Sequence, residues 1–408
     1  MKYAKEALIV RMAAAAISML ASFTIGIMIL RSPKGLKSPY SRIIFGMSLS
    51  DFFLSLGMVI SPFTSPKDTR DAIFSMGTTE TCTATGWISS LGGISIPFYV
   101  LFLTYYFLVR VKYKVPPDQF AKREWIGHLM IWSWAAAGTS IGLAKHQYNT
   151  TRYGALCIFV EKPFGCWVFD KCQRGHGART TSLIFVNIPL IAIFILLVCV
   201  LTTFTVYVYL QEKQLNVISK GDNNSSAQEN EEAEHSMEPA NISRLSEASE
   251  QPMLPIDNIC EPSAAVSAIS IGGVEEMHPT QDVNKFLSSL RSGRRRLTGP
   301  STFLDGRSMT RESFYQSMLY ISAFLVTYLI PVVGRLMMMA GQDIGDWSFW
   351  GLIPSGIGGL FNILIYTRPK ILILQKNNGD QRCSWMRSFF AVIMSGGEIT
   401  TPMEPYNV

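Results

Sequence analysis

The chain has 408 residues, of which 48% are hydrophobic and only 16% charged, with a formal net charge of +6. This profile departs from ordinary soluble composition toward that of a membrane protein. The basic residues lie between apolar runs and not in one patch, which argues against a nucleic-acid surface and suits anchoring on the inner side of a membrane.

After a short tail, an apolar run covers about residues 7–30. Its length favours a spanning helix over a cleavable signal peptide. A basic loop with prolines and a glycine, Arg31 to Arg42, separates it from a second run at 43–63 that carries Asp51 near its middle. The third run, 84–109, contains Pro97 and ends in Arg110, Lys112 and Lys114. The fourth, 125–144, is rich in Trp and Ala with His128 near its start, and the fifth, 180–209, holds Asn187 and Pro189. The sixth follows only after Phe314 and reaches about Ala340, with Pro331 and Arg335 inside it. A seventh, Trp347 to Lys370, carries Pro354, Asn362 and Tyr366 and closes on the basic collar Thr367-Arg368-Pro369-Lys370.

Seven runs predict an all-α membrane protein, a seven-transmembrane helix bundle with its termini on opposite sides. Loops one and three and the collar are basic, whereas loop six is acidic, so the C-terminus is expected in the cytoplasm and the N-terminus outside. The flank of Lys2, Lys5 and Arg11 and the basic residues of the fourth loop pull the other way, and the short tail is taken to cross regardless. Helices one to five then occupy 1–210 and helices six and seven 314–370, with a cytoplasmic tail at 371–408. Residues 211–313 are rich in Ser, Glu, Asn and Pro without apolar periodicity, the mark of a long disordered third cytoplasmic loop. Arg291 and Arg294 to Arg296 form a basic cluster there that suits anionic lipid headgroups, and otherwise a solvated linker.

Of seven cysteines, Cys82, Cys157, Cys166 and Cys172 fall in two loops. Four loop cysteines indicate an oxidising compartment and up to two disulfides, with three connectivities open. The sequon at Asn149 is a glycosylation candidate on the same side. A carboxyl group at mid-membrane costs several kcal/mol unless paired. Asp51 is therefore the most informative residue, and Asn362 the expected partner in a polar network that includes Tyr366. Arg110, Lys112 and Arg368 are expected at the cytoplasmic mouth, either as anchors or facing a partner. Trp87, Trp347 and Trp350, with Trp167, read as an interface belt or as ligand-facing aromatics, and Arg335 as a snorkelling or anion-facing cation. No nucleotide-binding loop, zinc-protease motif or second histidine near His128 suggests catalysis, a cofactor or a metal. No lysine lies between Trp347 and Arg368, which argues against a microbial rhodopsin.

The segments SLSDFFLSL, LTYYFLVRVKY, GCWVF, YLIPVVGRL and GLFNILIYTRPK together resemble the seven-helix G-protein-coupled receptors, closest to the cyclic-AMP-receptor-like and secretin-like group of protists. That resemblance implies a plasma-membrane receptor that carries an extracellular ligand's signal to a heterotrimeric G protein, with the ligand among the helices and lipids around them. It implies a Cys82 to Cys166 bridge at the top of helix three, leaving Cys157 with Cys172. It also implies that Asn362 and Tyr366, at N-x-x-x-Y spacing with Ile363 where proline is usual, belong to the switch. Arg110 resembles the basic residue that meets the G protein, although no acid adjoins it. The reading from another class is a seven-span transporter or channel in which Asp51 binds a cation or proton.

Overall fold

A computed structural model describes residues 2–33, 35–69, 72–113, 115–151, 156–163, 166, 172–203, 205–206, 210, 300–339, 353–354, 356–377 and 385–395. The chain divides into two units, one of Met1–Tyr207 with Leu304–Val408 and one of Val208–Phe303. Nearly all of the second lies outside the described residues, and with it the loop expected to be disordered and its basic cluster.

The first unit is an all-α seven-helix membrane bundle. Its helices are α1 (Lys2–Arg31), α2 (Pro39–Thr64), α3 (Thr79–Lys112), α4 (Pro117–Ala144), α5 (Ala178–Thr203), α6 (Pro300–Met339) and α7 (Gly358–Asn377), followed by a short α8 (Trp385–Met394). Five of them, α1, α2, α3, α5 and α6, are long and apolar enough by themselves to cross a membrane. A fourth-helix segment diluted by Asp118, Lys122, Arg123 and Glu124 is less apolar but occupies the same bundle.

Helix ends extend past the apolar runs because polar flanks cap the spans without breaking them. Pro39 and Pro117 start α2 and α4 at the first helical turn, where the missing N–H is no loss and φ is already helical. Thr78 and Thr81 cap α3 reciprocally: each side chain meets the other residue's backbone N–H. The sixth helix begins at Pro300, ahead of the boundary expected after Phe314. The basic collar does not end the seventh, since Pro369 lies inside α7, which runs on to Asn377. Pro354 precedes that helix in a turn, with Ile357 N bonded to its carbonyl at 3.2 Å. In α5 one π-helical turn, Leu183–Asn187, takes in an extra residue.

The core runs the length of α1, α2, α3, α6 and α7 through residues such as Ile25, Met47, Tyr99, Leu103, Phe324 and Tyr366, and α8 adds Val392. Small residues set the approach of α2 to α3. A Cβ at Gly92 would strike the carbonyl of Ser50, and one at Gly57 would strike Ser89. Lipid tails give helices no hydrophobic reason to associate, so close backbone approach of this kind is what holds them. The bundle has one end that carries the cysteines and an opposite end rich in Arg and Lys, called below the cysteine end and the basic end.

Candidate functional site

Asp51 sits in the middle of α2 with 2% of its surface exposed. Two serines one turn apart on α1 face it: Ser22 Oγ donates to Asp51 Oδ2 at 2.5 Å and Ser18 Oγ to the same oxygen at 3.2 Å. Ser18 Oγ in turn accepts the backbone N–H of Gly359, at the start of α7, at 2.7 Å. The carboxyl group therefore ties α1, α2 and α7 together. A Cβ at Gly359 would collide with Asp51 Oδ2, Ser22 Oγ and the Ser18 carbonyl, so only glycine leaves room for this contact.

The expected Asp51 to Asn362 bond is not what forms. Asn362 is half-buried one turn further along α7, and no hydrogen bond joins it to Asp51 among the described residues. The physical reason is reach. Two short hydroxyls on α1 satisfy the carboxyl group at close range, and the bare backbone of Gly359 brings α7 against it before Asn362 arrives.

At the basic end, Tyr40 of α2 is the centre of an aromatic cluster drawn from four helices. Its ring lies 6.4 Å from Tyr106 and 5.9 Å from Phe107 of α3, and 6.5 Å from Tyr366 of α7. Its hydroxyl accepts from Gln316 Nε2 of α6 at 2.6 Å and lies 3.4 Å from the Tyr320 hydroxyl. Tyr366 is buried, with the Lys370 ammonium 4.5 Å from its ring centroid. Arg110 is half-buried over Tyr106 at 5.9 Å, while Lys112 and Arg368 are exposed. Tyr366, Arg110, Lys112 and Arg368 thus lie at the same end of the bundle. Tyr40, read from sequence as loop, is the residue that joins the helices there. Its signal was Pro39, a helix-starting proline directly before it.

A second polar set links α2, α3 and α4 near the same end. Arg42 forks onto Glu124 at 2.6 and 3.0 Å, Glu124 meets His128 Nε2 at 3.2 Å, and His128 Nδ1 meets Tyr99 OH at 3.0 Å. Glu124 precedes the apolar part of α4 and is 2% exposed. Burial by itself would raise its carboxyl above the ordinary range, but the bonds from His128 and Arg42 outweigh this and hold it below. His128 therefore has a place in a network that its isolation in sequence did not suggest.

The cysteine end is capped by a hairpin of β1 (Tyr148–Thr150) and β2 (Cys157–Phe159), antiparallel with Asn149 opposite Ile158. Two disulfides form, but not in the expected pairing. Cys82 at the top of α3 joins Cys157, and Cys166 joins Cys172. The hairpin explains why. Tyr148 is fully buried and its hydroxyl donates to the Thr139 carbonyl of α4 at 3.2 Å, while Ser61 Oγ of α2 accepts the Cys157 N–H at 2.7 Å. These contacts deliver Cys157, not Cys166, to Cys82, and Cys166 finds its partner six residues on. Glu161 lies beside that second pair, but a disulfide leaves no thiolate to bind a metal.

Asn149 does not suit glycosylation in this arrangement. It is 3% exposed and its amide donates to the Val160 carbonyl at 2.7 Å, whereas a glycan needs that nitrogen free at the surface. Of the ligand-facing candidates, Trp87 is placed on the flank of α3, beside an open crevice against the end of α4. Trp167, Trp347, Trp350 and the side chain of Arg335 lie outside the described residues.

No family model and no curated protein sequence matches this chain. Its structure is similar to the crystal structure of squid rhodopsin, with a TM-score of 0.52, 12% identity, and coverage of 98% of this chain and 93% of that one. At that identity the likeness concerns the fold alone, a bundle of seven helices.

Proposed function

We propose that this chain is a plasma-membrane receptor of the G-protein-coupled kind, nearest the cyclic-AMP-receptor-like and secretin-like group, and not an enzyme. Its cysteine end and N-terminus face outside, and its basic end and C-terminus face the cytoplasm. The positive-inside distribution of Arg31, Arg42, Arg110 and Arg368 and the two disulfides at the opposite end support that orientation. A ligand entering from outside favours one arrangement of the helices, and the basic end answers by opening toward a heterotrimeric G protein.

The observation that carries this reading is the cluster around Tyr40. It closes the basic end by joining α2, α3, α6 and α7 through one side chain. Such a contact has two states, joined and parted, and a ligand shifts the balance only by its differential affinity for them. Arg110, beside the cluster, becomes available to a partner once α6 withdraws. The Asp51 contact, which joins α1, α2 and α7 above it, relays the change.

Tyr40→Phe keeps the ring and removes the hydroxyl that holds Gln316 and Tyr320. One such bond is worth about 1 kcal/mol, or roughly a fivefold shift between states. Nucleotide exchange on a co-expressed G protein should rise ~5-fold without ligand at equal surface level. Arg110→Ala should abolish that rise. Exchange unchanged in both variants would overturn the receptor reading. Ion flux through the wild type that is lost in Asp51→Asn would replace it with the transporter.

A further inference from the structure

Beside the helix bundle, an open crevice of about 1000 Å³ lies between the cysteine ends of α3 and α4. Its α3 wall is a single helical stripe, Glu80, Thr83, Ala84, Trp87 and Ile88, spaced so that all share one face. Leu143 and His146 at the end of α4 and Arg174 of the following loop form the other wall. The crevice is therefore graded. Apolar Ala84, Ile88 and Leu143 lie toward the membrane interior, and charged Glu80 and Arg174 lie at the helix ends, where headgroups sit.

Arg174 is held in place and is no loose surface cation. Its Nε donates to the His146 carbonyl at 3.2 Å and its Nη2 to Thr83 Oγ1 at 3.1 Å. Its backbone pairs with Lys162 on both sides of the strand bridge. His146 itself has φ 51°, a left-handed turn that ends α4. The remaining guanidinium nitrogen, Nη1, makes no hydrogen bond among the described residues. Glu80 lines the same crevice from α3, one helical turn before Thr83 and Ala84. A fixed cation with a carboxylate in the same lining, above an apolar slot, matches a headgroup that carries both signs over an acyl chain.

We propose that this crevice is a binding site for a zwitterionic phospholipid, with its phosphate on Arg174, its ammonium on Glu80 and its chains along Ala84, Ile88 and Leu143. A guanidinium with donors to spare suits phosphate oxygens. Glu80 discriminates against lipids with net negative charge, which would bring like charge against it. The site needs only the membrane-spanning fold and does not depend on the receptor reading, so either can fail without the other.

The test uses the full chain in detergent micelles, titrated with phosphatidylcholine or phosphatidylglycerol and read by native mass spectrometry. One phosphatidylcholine per chain should be retained, ~5-fold or more over phosphatidylglycerol, because the net negative headgroup meets the like charge of Glu80. Ala84→Trp, at an exposed position with no hydrogen bond to lose, fills the slot and should cut retention ~10-fold, and Arg174→Gln should do the same. Glu80→Gln should bring phosphatidylglycerol up to the level of phosphatidylcholine. Equal retention of both lipids by the wild type, or no effect of Ala84→Trp, would overturn the site. A preference that survives Glu80→Gln unchanged would overturn the headgroup orientation. Displacement by water-soluble glycerophosphocholine at the same concentration as the lipid would show that the free headgroup, and not the lipid, is the ligand.

Discussion

Gly359→Ala adds one methyl group at the point where α7 meets Asp51, and the structure sets a large penalty for it. The new carbon would overlap Asp51 Oδ2, Ser22 Oγ and the Ser18 carbonyl at once. Two of the three are side-chain atoms, but neither is free to yield, because Ser22 Oγ and Asp51 Oδ2 are bonded to each other at 2.5 Å. Moving either loses a hydrogen bond at a buried carboxyl group, about 1.5–3 kcal/mol. Shifting α7 instead breaks the Gly359 to Ser18 bond and carries an overpacking penalty of about 1–3 kcal/mol. Whichever relaxation is cheaper, the effect is about 1.5–3 kcal/mol, roughly 3–10 °C in midpoint for a domain of this size. Thermal unfolding of the purified variant in nanodiscs measures it. Ser22→Ala in the same chain removes one of the overlapped atoms, so the double variant should be less damaged than the sum of the singles. A Gly359→Ala protein that melts with the wild type would refute the packing argument and with it the place of Asp51 as the junction of three helices.

Three other outcomes follow from the structure. Arg42→Gln leaves Glu124 buried with only His128. Breaking a buried pair costs about 3–5 kcal/mol, reduced here to roughly 1–3 because the Arg42 side chain is 32% exposed. Glu124 titrates below its ordinary value of 4.5 when folded, so this contribution is complete at neutral pH and fades as pH falls through the lowered value; stability curves of wild type and Arg42→Gln should converge in acid. Cys82→Ser and Cys157→Ser should lower stability equally, by about 2–4 kcal/mol, and non-reduced peptide mapping should link Cys82 to Cys157. Asn149→Gln should leave the mass of the secretory-pathway product unchanged on a glycosidase gel, yet destabilise the hairpin by about 1–2 kcal/mol through loss of the bond to Val160.

The spans were legible because a bilayer demands long apolar runs, and Asp51 stood out because a mid-membrane carboxyl is costly. Its partners were not, since serine in an Ala-rich helix raises no alarm. The signal was there in Ser18 and Ser22, one turn apart on a single face of α1. The disulfide pairing was illegible for a different reason. It depends on how far a hairpin reaches, and that reach is set by Tyr148 and Ser61, neither of which carries a pattern in sequence. Tyr40 and Glu124 escaped notice because each lies just outside an apolar run, where helices continue after the hydropathy has ended.

The hairpin over the cysteine end has a use as a reporter. Its second strand is bolted to α3 through Cys157, and the neighbouring Leu156 packs with Ala15 of α1 and Met58 of α2. A rotation of any of these three helices must tilt the strand, because a covalent bond on one side and a buried side chain on the other leave it no slack. An antibody fragment raised against the rigid face of this hairpin would therefore sense the arrangement of helices it never touches. Its dissociation rate would become a gauge of the bundle's conformation.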